Sequence, residues 1–128
     1  MEGYYTGRIS SIDAKSGYVK VTYPRENNIV SDWLPLTAHE YNMPEIGSLV
    51  ATILDAHGNG VCLGKIYSNG QKPPADDGYV KVFENVKIKA DNKLFMIELG
   101  EATISYNSDS GVLRISAPKI VLDGYEMA

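Results

Sequence analysis

The residues best suited to chemistry are Asp55, His57 and Cys62, which flank the turn sequence Gly58-Asn59-Gly60. A thiol beside an imidazole can act as a nucleophile with its general base, provided that the thiol is exposed. Cys62 lies inside an apolar, strand-like stretch, so the pattern favours a small buried hydrophobic residue. Asp55 and His57 supply fewer side chains than the about three that a catalytic metal ion takes from a protein. The sequence therefore predicts no catalytic or metal-binding residue at this turn.

Other chemical motifs are sparse. His39-Glu40 is typical of a solvated loop, and the sequence contains neither a Gly-x-Ser-x-Gly elbow nor a phosphate-binding glycine loop. We therefore expect a protein that is not an enzyme and that uses no cofactor.

Composition and charge narrow the class further. The chain has 128 residues, 44% of them hydrophobic and 22% charged, which is typical of a folded globular protein. Its 12 Lys and Arg residues against 16 Asp and Glu residues give a formal net charge of −4. No basic cluster is long enough to follow a phosphate backbone, so a nucleic-acid partner is disfavoured.

The single cysteine excludes an intrachain disulfide and a zinc site built from several thiolates of one chain. The longest apolar run, Leu94-Phe95-Met96-Ile97, is far shorter than the ~18 residues of a membrane helix. The start of the chain lacks the basic and apolar regions of a secretory signal. We expect a fold held by packing or by partner chains, and the free cysteine is tolerated in a reducing compartment.

Alternating apolar and polar residues predict strands in the first half of the chain. Residues 4–12 and 18–23 form a predicted hairpin across the turn at residues 13–17, and residues 48–54 and 61–67 form a second. A short strand is predicted at residues 33–36. About five strands of this length favour an N-terminal OB-fold barrel over residues 1–70.

Aromatic residues leave a second function open. The chain has nine tyrosines, and OB folds often stack such rings on single-stranded nucleic acid. Tyr18 and Tyr23 lie at strand ends, where barrel packing or interchain contacts explain them equally well, and Trp33 favours an interface. A single-stranded nucleic-acid-binding protein is the alternative.

A change in residue pattern divides the chain into two parts. Residues 71–78 include Pro73-Pro74 and read as a linker. Residues 79–128 form the C-terminal part, with short strands predicted at residues 79–82, 86–89, 94–99, 102–106, 112–116 and 119–122.

Most of these C-terminal strands have one apolar face and one face of Lys, Ser, Thr or Arg. The large side chains that could share an inward face are Val80, Val82, Val86, Ile88, Phe95, Ile97, Leu99, Ile104, Leu113, Ile115, Ile120 and Leu122. A single sheet must bury such a face, and identical copies around a threefold axis would cover it and close the sheet edges. A compact single-chain sandwich is the alternative. The predicted trimer core is Val86, Ile88, Ile97, Leu99, Ile104, Leu113, Ile115, Ile120 and Leu122.

Several sequence strings together resemble a known family. They are Gly17-Tyr18-Val19-Lys20-Val21-Thr22-Tyr23-Pro24, Ser31-Asp32-Trp33-Leu34-Pro35, Met43-Pro44-Glu45-Ile46-Gly47-Ser48-Leu49-Val50, Val61-Cys62-Leu63-Gly64-Lys65-Ile66-Tyr67-Ser68 and Pro73-Pro74. In this order and spacing they resemble the OB domain of phage baseplate assembly protein V and of VgrG spikes. The closing Lys119-Ile120-Val121-Leu122-Asp123-Gly124 is similar to the trimeric β-helix that follows that domain.

The resemblance implies an all-β protein in which an OB-fold barrel precedes an intertwined trimeric β-helix, or needle. Such a chain is a structural homotrimer in the tail baseplate of a phage or a phage-derived contractile injection particle, and it is assembled in a bacterial cytoplasm. It seats on a baseplate hub protein and pierces the target cell envelope when the sheath contracts. Nucleic acid is not among the expected partners.

One departure from the family concerns the tip of the needle. Many phage spikes hold an iron ion on the axis with a His-x-His pair from each chain, whereas the last histidine here is His57 and the chain closes with Tyr125-Glu126-Met127-Ala128. We therefore expect no apical metal, and either a blunt needle or a separate PAAR-like tip protein.

Overall fold

The computed structural model describes residues 1–75 and 77–124. The described part of the protein is all-β, with 51% of its residues in strands and two antiparallel sheets, which confirms the predicted class. The chain divides into two compact units, Met1–Lys72 and Pro73–Ala128. The expectation about the tip concerns residues 125–128, which lie outside the described part.

The first unit contains a six-stranded sheet. Its strands are β1 (Gly3–Asp13), β2 (Tyr18–Tyr23), β3 (Ile29–Val30), β4 (Leu34–Pro35), β5 (Leu49–Leu54) and β6 (Gly60–Lys65), with a short 3₁₀ turn at Pro24–Glu26. The pairing order is β3-β2-β1-β5-β6, and β4 also pairs with β2. Both predicted hairpins are present, β1 with β2 and β5 with β6. The two-residue strand β3 was not predicted.

The strand path of this sheet returns to its starting point. β4 pairs with β2 through Leu34 and Val19, and the next apolar residue, Leu36, forms a parallel bridge with Cys62 of β6. Residues 34–36 therefore connect β6 to β2, and the pairing runs through β1 and β5 back to β6. Such closure satisfies backbone groups that an open sheet would leave at its edges.

Alternate residues of these strands form the hydrophobic core. Because successive side chains in a strand point to opposite faces, every second residue of β2 is directed inward. The buried core consists of Ile9, Val19, Val21, Tyr23, Leu34, Val50, Leu54 and Cys62. The hydroxyl of Thr52, also fully buried, donates to the carbonyl of Tyr5 at 3.0 Å, so Tyr23 Oη donates to Thr52 Oγ1 at 2.8 Å. Two hydroxyls are thus buried without an unpaired group.

Gly7 lies where β2 leaves no room for a side chain on β1. A Cβ atom at this position would lie 2.5 Å from Cγ1 of Val21 and 2.6 Å from the carbonyl oxygen of Thr22. The second of these atoms is backbone and cannot rotate away. Position 7 therefore accepts only glycine if β1 and β2 keep their spacing.

Gln71 anchors the end of the first unit. Its side-chain Oε1 accepts a hydrogen bond from the backbone N–H of Leu49 at 3.1 Å, and its Nε2 donates to the Leu49 carbonyl at 2.9 Å. The amide side chain thus pairs with β5 as another strand residue would.

The second unit is a five-stranded antiparallel meander. Its strands are β7 (Tyr79–Phe83), β8 (Val86–Ala90), β9 (Leu94–Leu99), β10 (Ala102–Asn107) and β11 (Val112–Ser116). Each strand pairs with its neighbours in sequence, in the order β11-β10-β9-β8-β7. The strand predicted at residues 119–122 is wrong for the single chain, because the described residues after Ser116 form no strand.

Candidate assembly surface

Strand register places most large apolar side chains of the second unit on one face of its sheet. Directly paired residues share a face. The central row crosses four strands as Ile88, Ile97, Ile104 and Ile115. The two flanking rows are Phe83, Val86, Leu99 and Ala102 on one side and Tyr79, Ala90, Phe95, Tyr106 and Leu113 on the other. We call these residues, with Lys81 at the β7 end of the central row, the apolar face.

The opposite face, which we call the polar face, carries the charged and hydroxyl side chains of the sheet together with Leu94, Met96, Val112 and two valines of β7. Lys87 pairs directly with Glu98, and Lys89 Nζ lies 3.9 Å from Glu98 Oε1, while Ser105 pairs with Arg114. Charged groups of both signs are solvated on this face, so the sheet is amphipathic across its thickness.

The inclusion of Val80 and Val82 in the inward set is wrong. Val80 pairs with Lys89 and Val82 with Lys87, so both lie on the polar face. The two-residue turn after Phe83 pairs Phe83 with Val86, so these two residues share the apolar face. Strand alternation then puts the even-numbered residues of β7 on the opposite face.

Within the second unit, no described element covers the apolar face. None of the described residues of this unit is fully buried. Exposure is high at both edges of this face, where Leu113 and Ile115 of β11 are 64% and 56% exposed and Tyr79 of β7 is 57% exposed. A contiguous exposed apolar surface of this kind marks an interaction site in a soluble protein.

The structure brings together seven of the nine residues predicted as trimer core. These residues are Val86, Ile88, Ile97, Leu99, Ile104, Leu113 and Ile115. Ile120 and Leu122 lie outside the sheet and are exposed. Their burial between chains stays a prediction. Tyr79, Phe83 and Tyr106 also lie on the apolar face and were missed, although counting by twos from Lys81 and Ile104 would have found them.

Polar turn residues hold the strands of this sheet in register. Asp91 Oδ1 accepts hydrogen bonds from the backbone N–H groups of Lys93 at 2.8 Å and Leu94 at 2.9 Å. These bonds lower the pKa of the Asp91 carboxyl below its usual value. Asn107 Oδ1 accepts in the same way from Asp109 and Ser110 in the β10–β11 turn.

The residues with chemical potential have structural environments. Cys62 is buried, as predicted, and burial raises the pKa of its thiol, which favours the unreactive protonated form. Asp55 Oδ1 accepts from the backbone N–H groups of His57 at 2.8 Å and Asn59 at 3.0 Å, so this carboxylate organises the β5–β6 turn. The described residues contain no group of three or more His, Cys, Asp or Glu side chains that could hold a metal ion.

A separate aromatic surface lies on the outward side of β2 and β4. Tyr18 pairs with Pro35, and the Lys20 ammonium lies 5.2 Å from the centroid of the Trp33 ring, within range of a cation–π interaction. Tyr18 and Trp33 are both exposed, whereas Tyr23 belongs to the core. Because side chains alternate along β2, Tyr18 points outward and Tyr23, five residues later, points into the core.

No family model matches the chain, and no curated protein matches it significantly in sequence. Within the described residues, no helix is long and apolar enough to cross a membrane.

Proposed function

We propose that this chain is the structural central spike of a contractile tail baseplate, assembled as a homotrimer. The uncovered apolar face of the second unit carries the proposal. A five-stranded sheet with three rows of large apolar side chains must bury that face to be stable in water. Identical copies around a threefold axis would bury the three faces against one another and form the needle.

The first unit is the proposed OB-fold barrel that seats on the hub protein. An OB fold is a small, partly open Greek-key barrel of five strands. The return of the strand path from β6 to β2 through Leu36 supports this assignment, as do the antiparallel pairs of β1 with β2 and β5. The sequence strings that resemble baseplate assembly protein V cover the same region.

The mechanism proposed for the spike is mechanical. When the sheath shortens, the needle transmits axial force to the target envelope, with or without a separate PAAR-like tip. In a trimer whose apolar faces are shared, no chain can leave without exposing its own face and those of its neighbours to water. The needle would therefore resist loss of single chains under load.

Molar mass in solution tests the proposal directly. Multi-angle light scattering of the purified full-length chain is expected to give a single species of three chains. Ile104→Lys puts a charge on the apolar face and should dissociate the trimer, because burying an unpaired ammonium is very costly. Ser105→Lys, its neighbour in β10, adds the same charge to the polar face and should leave the trimer intact. A stable, folded monomer of the wild-type chain would refute the spike.

A second candidate is single-stranded nucleic-acid binding by the first unit. The Lys20–Trp33 pair beside Tyr18 favours it, because exposed aromatic rings and a cation form a platform for bases. This function predicts salt-sensitive retention of an oligonucleotide that Trp33→Ala abolishes and Tyr67→Ala, at another exposed aromatic residue, does not. The acidic net charge of −4 opposes it.

A further inference from the structure

Residues 119–122 have a sequence typical of a β-strand, but they pair with no strand among the described residues. Ile120, Val121 and Leu122 are consecutive large aliphatic residues, two of them β-branched. Their side chains are 52%, 63% and 65% exposed. No backbone–backbone hydrogen bond joins residues 117–124 to another described residue.

The connection from β11 does not form the tight turn that would return this segment onto its own sheet. A return onto β11 through Ala117-Pro118 would need a two-residue hairpin turn, whose first central residue has a positive φ. A residue that precedes proline is restricted to extended conformations, and Ala117 is not among the described residues with positive φ. A two-residue return onto β11 is therefore excluded, and the described residues after Ser116 add no strand to that edge.

That edge is open. β11 is the last strand of the meander, so one side of its backbone has no strand partner among the described residues. All five residues of β11 are exposed. An edge strand in this state is a template for a further strand.

We propose that residues 119–122 of one copy pair with the β11 edge of a neighbouring copy as a sixth strand of its sheet. This inference rests on the proposed assembly of identical chains and names the element that joins them. The chain supplies both halves of a β-pair that it does not form with itself. The contact is heterologous, and in the proposed trimer a rotation of one third of a turn at each contact closes a ring of three chains. Strand alternation would place Ile120 and Leu122 on one side, where they extend the apolar face beyond Leu113 and Ile115.

Hydrogen–deuterium exchange of the full chain tests the pairing. The amides of residues 119–122 and the outer amides of β11 should exchange at least about tenfold more slowly in the assembled state than after dilution to single chains. The outer edge of β7 should exchange at the same rate in both states, because no strand is added there.

Proline substitutions separate backbone pairing from side-chain burial. Ile120→Pro and Val121→Pro each remove one amide donor, and in a strand paired along one edge only one of the two amides faces the partner. One of them should therefore weaken assembly at least about tenfold more than alanine at the same position. If the wild type assembles while both prolines behave like their alanine controls and exchange does not slow, the pairing is refuted and the trimer stands. A wild type that stays monomeric at every concentration refutes the trimer itself.

Discussion

At the scale of single residues, the core of the first unit depends on a few positions that admit no substitute. Thr52 is fully buried in β5 and joins two strands by accepting from Tyr23 and donating to Tyr5. Gly7 allows β1 and β2 to approach each other. Neither role is visible in the sequence, where Thr52 is one polar residue in an apolar stretch and Gly7 one of 12 glycines.

Replacing Thr52 by valine keeps its shape and removes the hydroxyl. We expect Thr52→Val to lower the free energy of unfolding by about 1–3 kcal/mol, because Tyr23 Oη loses its buried acceptor. Chemical denaturation measures the loss. In the double variant with Tyr23→Phe, the orphaned hydroxyl is gone, so the loss should be smaller than the sum of the two single losses. Strict additivity would contradict the contact.

Gly7→Ala should destabilise the first unit by about 2 kcal/mol or more, since the new Cβ would overlap the Thr22 carbonyl oxygen. Gly70→Ala is the matched control, because nothing lies within 4 Å of its added Cβ. The two variants can be compared by their thermal midpoints. Equal midpoints would show that β1 can move away from β2 at little cost.

At the scale of elements, alternation predicted the strands well but not their registers. The hairpins of the first unit and the meander of the second follow from period-two patterns and turn residues. The bulge between Ile9 and Ser11 has no such signature, because it depends on how β1 curves across the sheet. The face of Val80 and Val82 was also predicted wrongly because of register. The two-residue β7–β8 turn pairs Phe83 with Val86, so the apolar face takes odd-numbered residues in β7 and even-numbered residues in β8.

The stability that the β8–β9 turn contributes to the fold should depend on pH through the Asp91 carboxyl. Its pKa is lower in the folded chain than in the unfolded chain, so the carboxylate contributes stability above the unfolded value, which is lost as the pH falls through the folded one. Asp91→Asn keeps an acceptor oxygen but removes the charge. We expect the variant to melt below the wild type at pH 6 and the difference to vanish in acid. Parallel melting curves at every pH would refute the role of the charge.

At the scale of the whole molecule, the sequence predicted two β-structured parts and an amphipathic second one. It could not predict that Ile120 and Leu122 lie outside the sheet, because the effect of Pro118 on chain direction is not an alternation signal. Nor does a single chain specify what its apolar face contacts.

Protein concentration should therefore affect the two units differently. Melting of the second unit is expected to shift upwards with concentration, because assembly stabilises only the associated state. Melting of the first unit should not shift. Site-specific labels in each unit would report the two melting transitions separately. A melting transition of the second unit that does not depend on protein concentration would argue against association through the apolar face.

The neighbour-to-neighbour order of β7 to β11 also bears on biogenesis. Every pairing in that sheet closes a short loop, so the strands of a newly made polypeptide can pair quickly, although the sheet becomes stable only when other copies cover its apolar face. Before assembly, each chain exposes its apolar face to water, and it can aggregate until it associates with other copies. Synthesis of many copies from one message at one place would shorten that exposed interval.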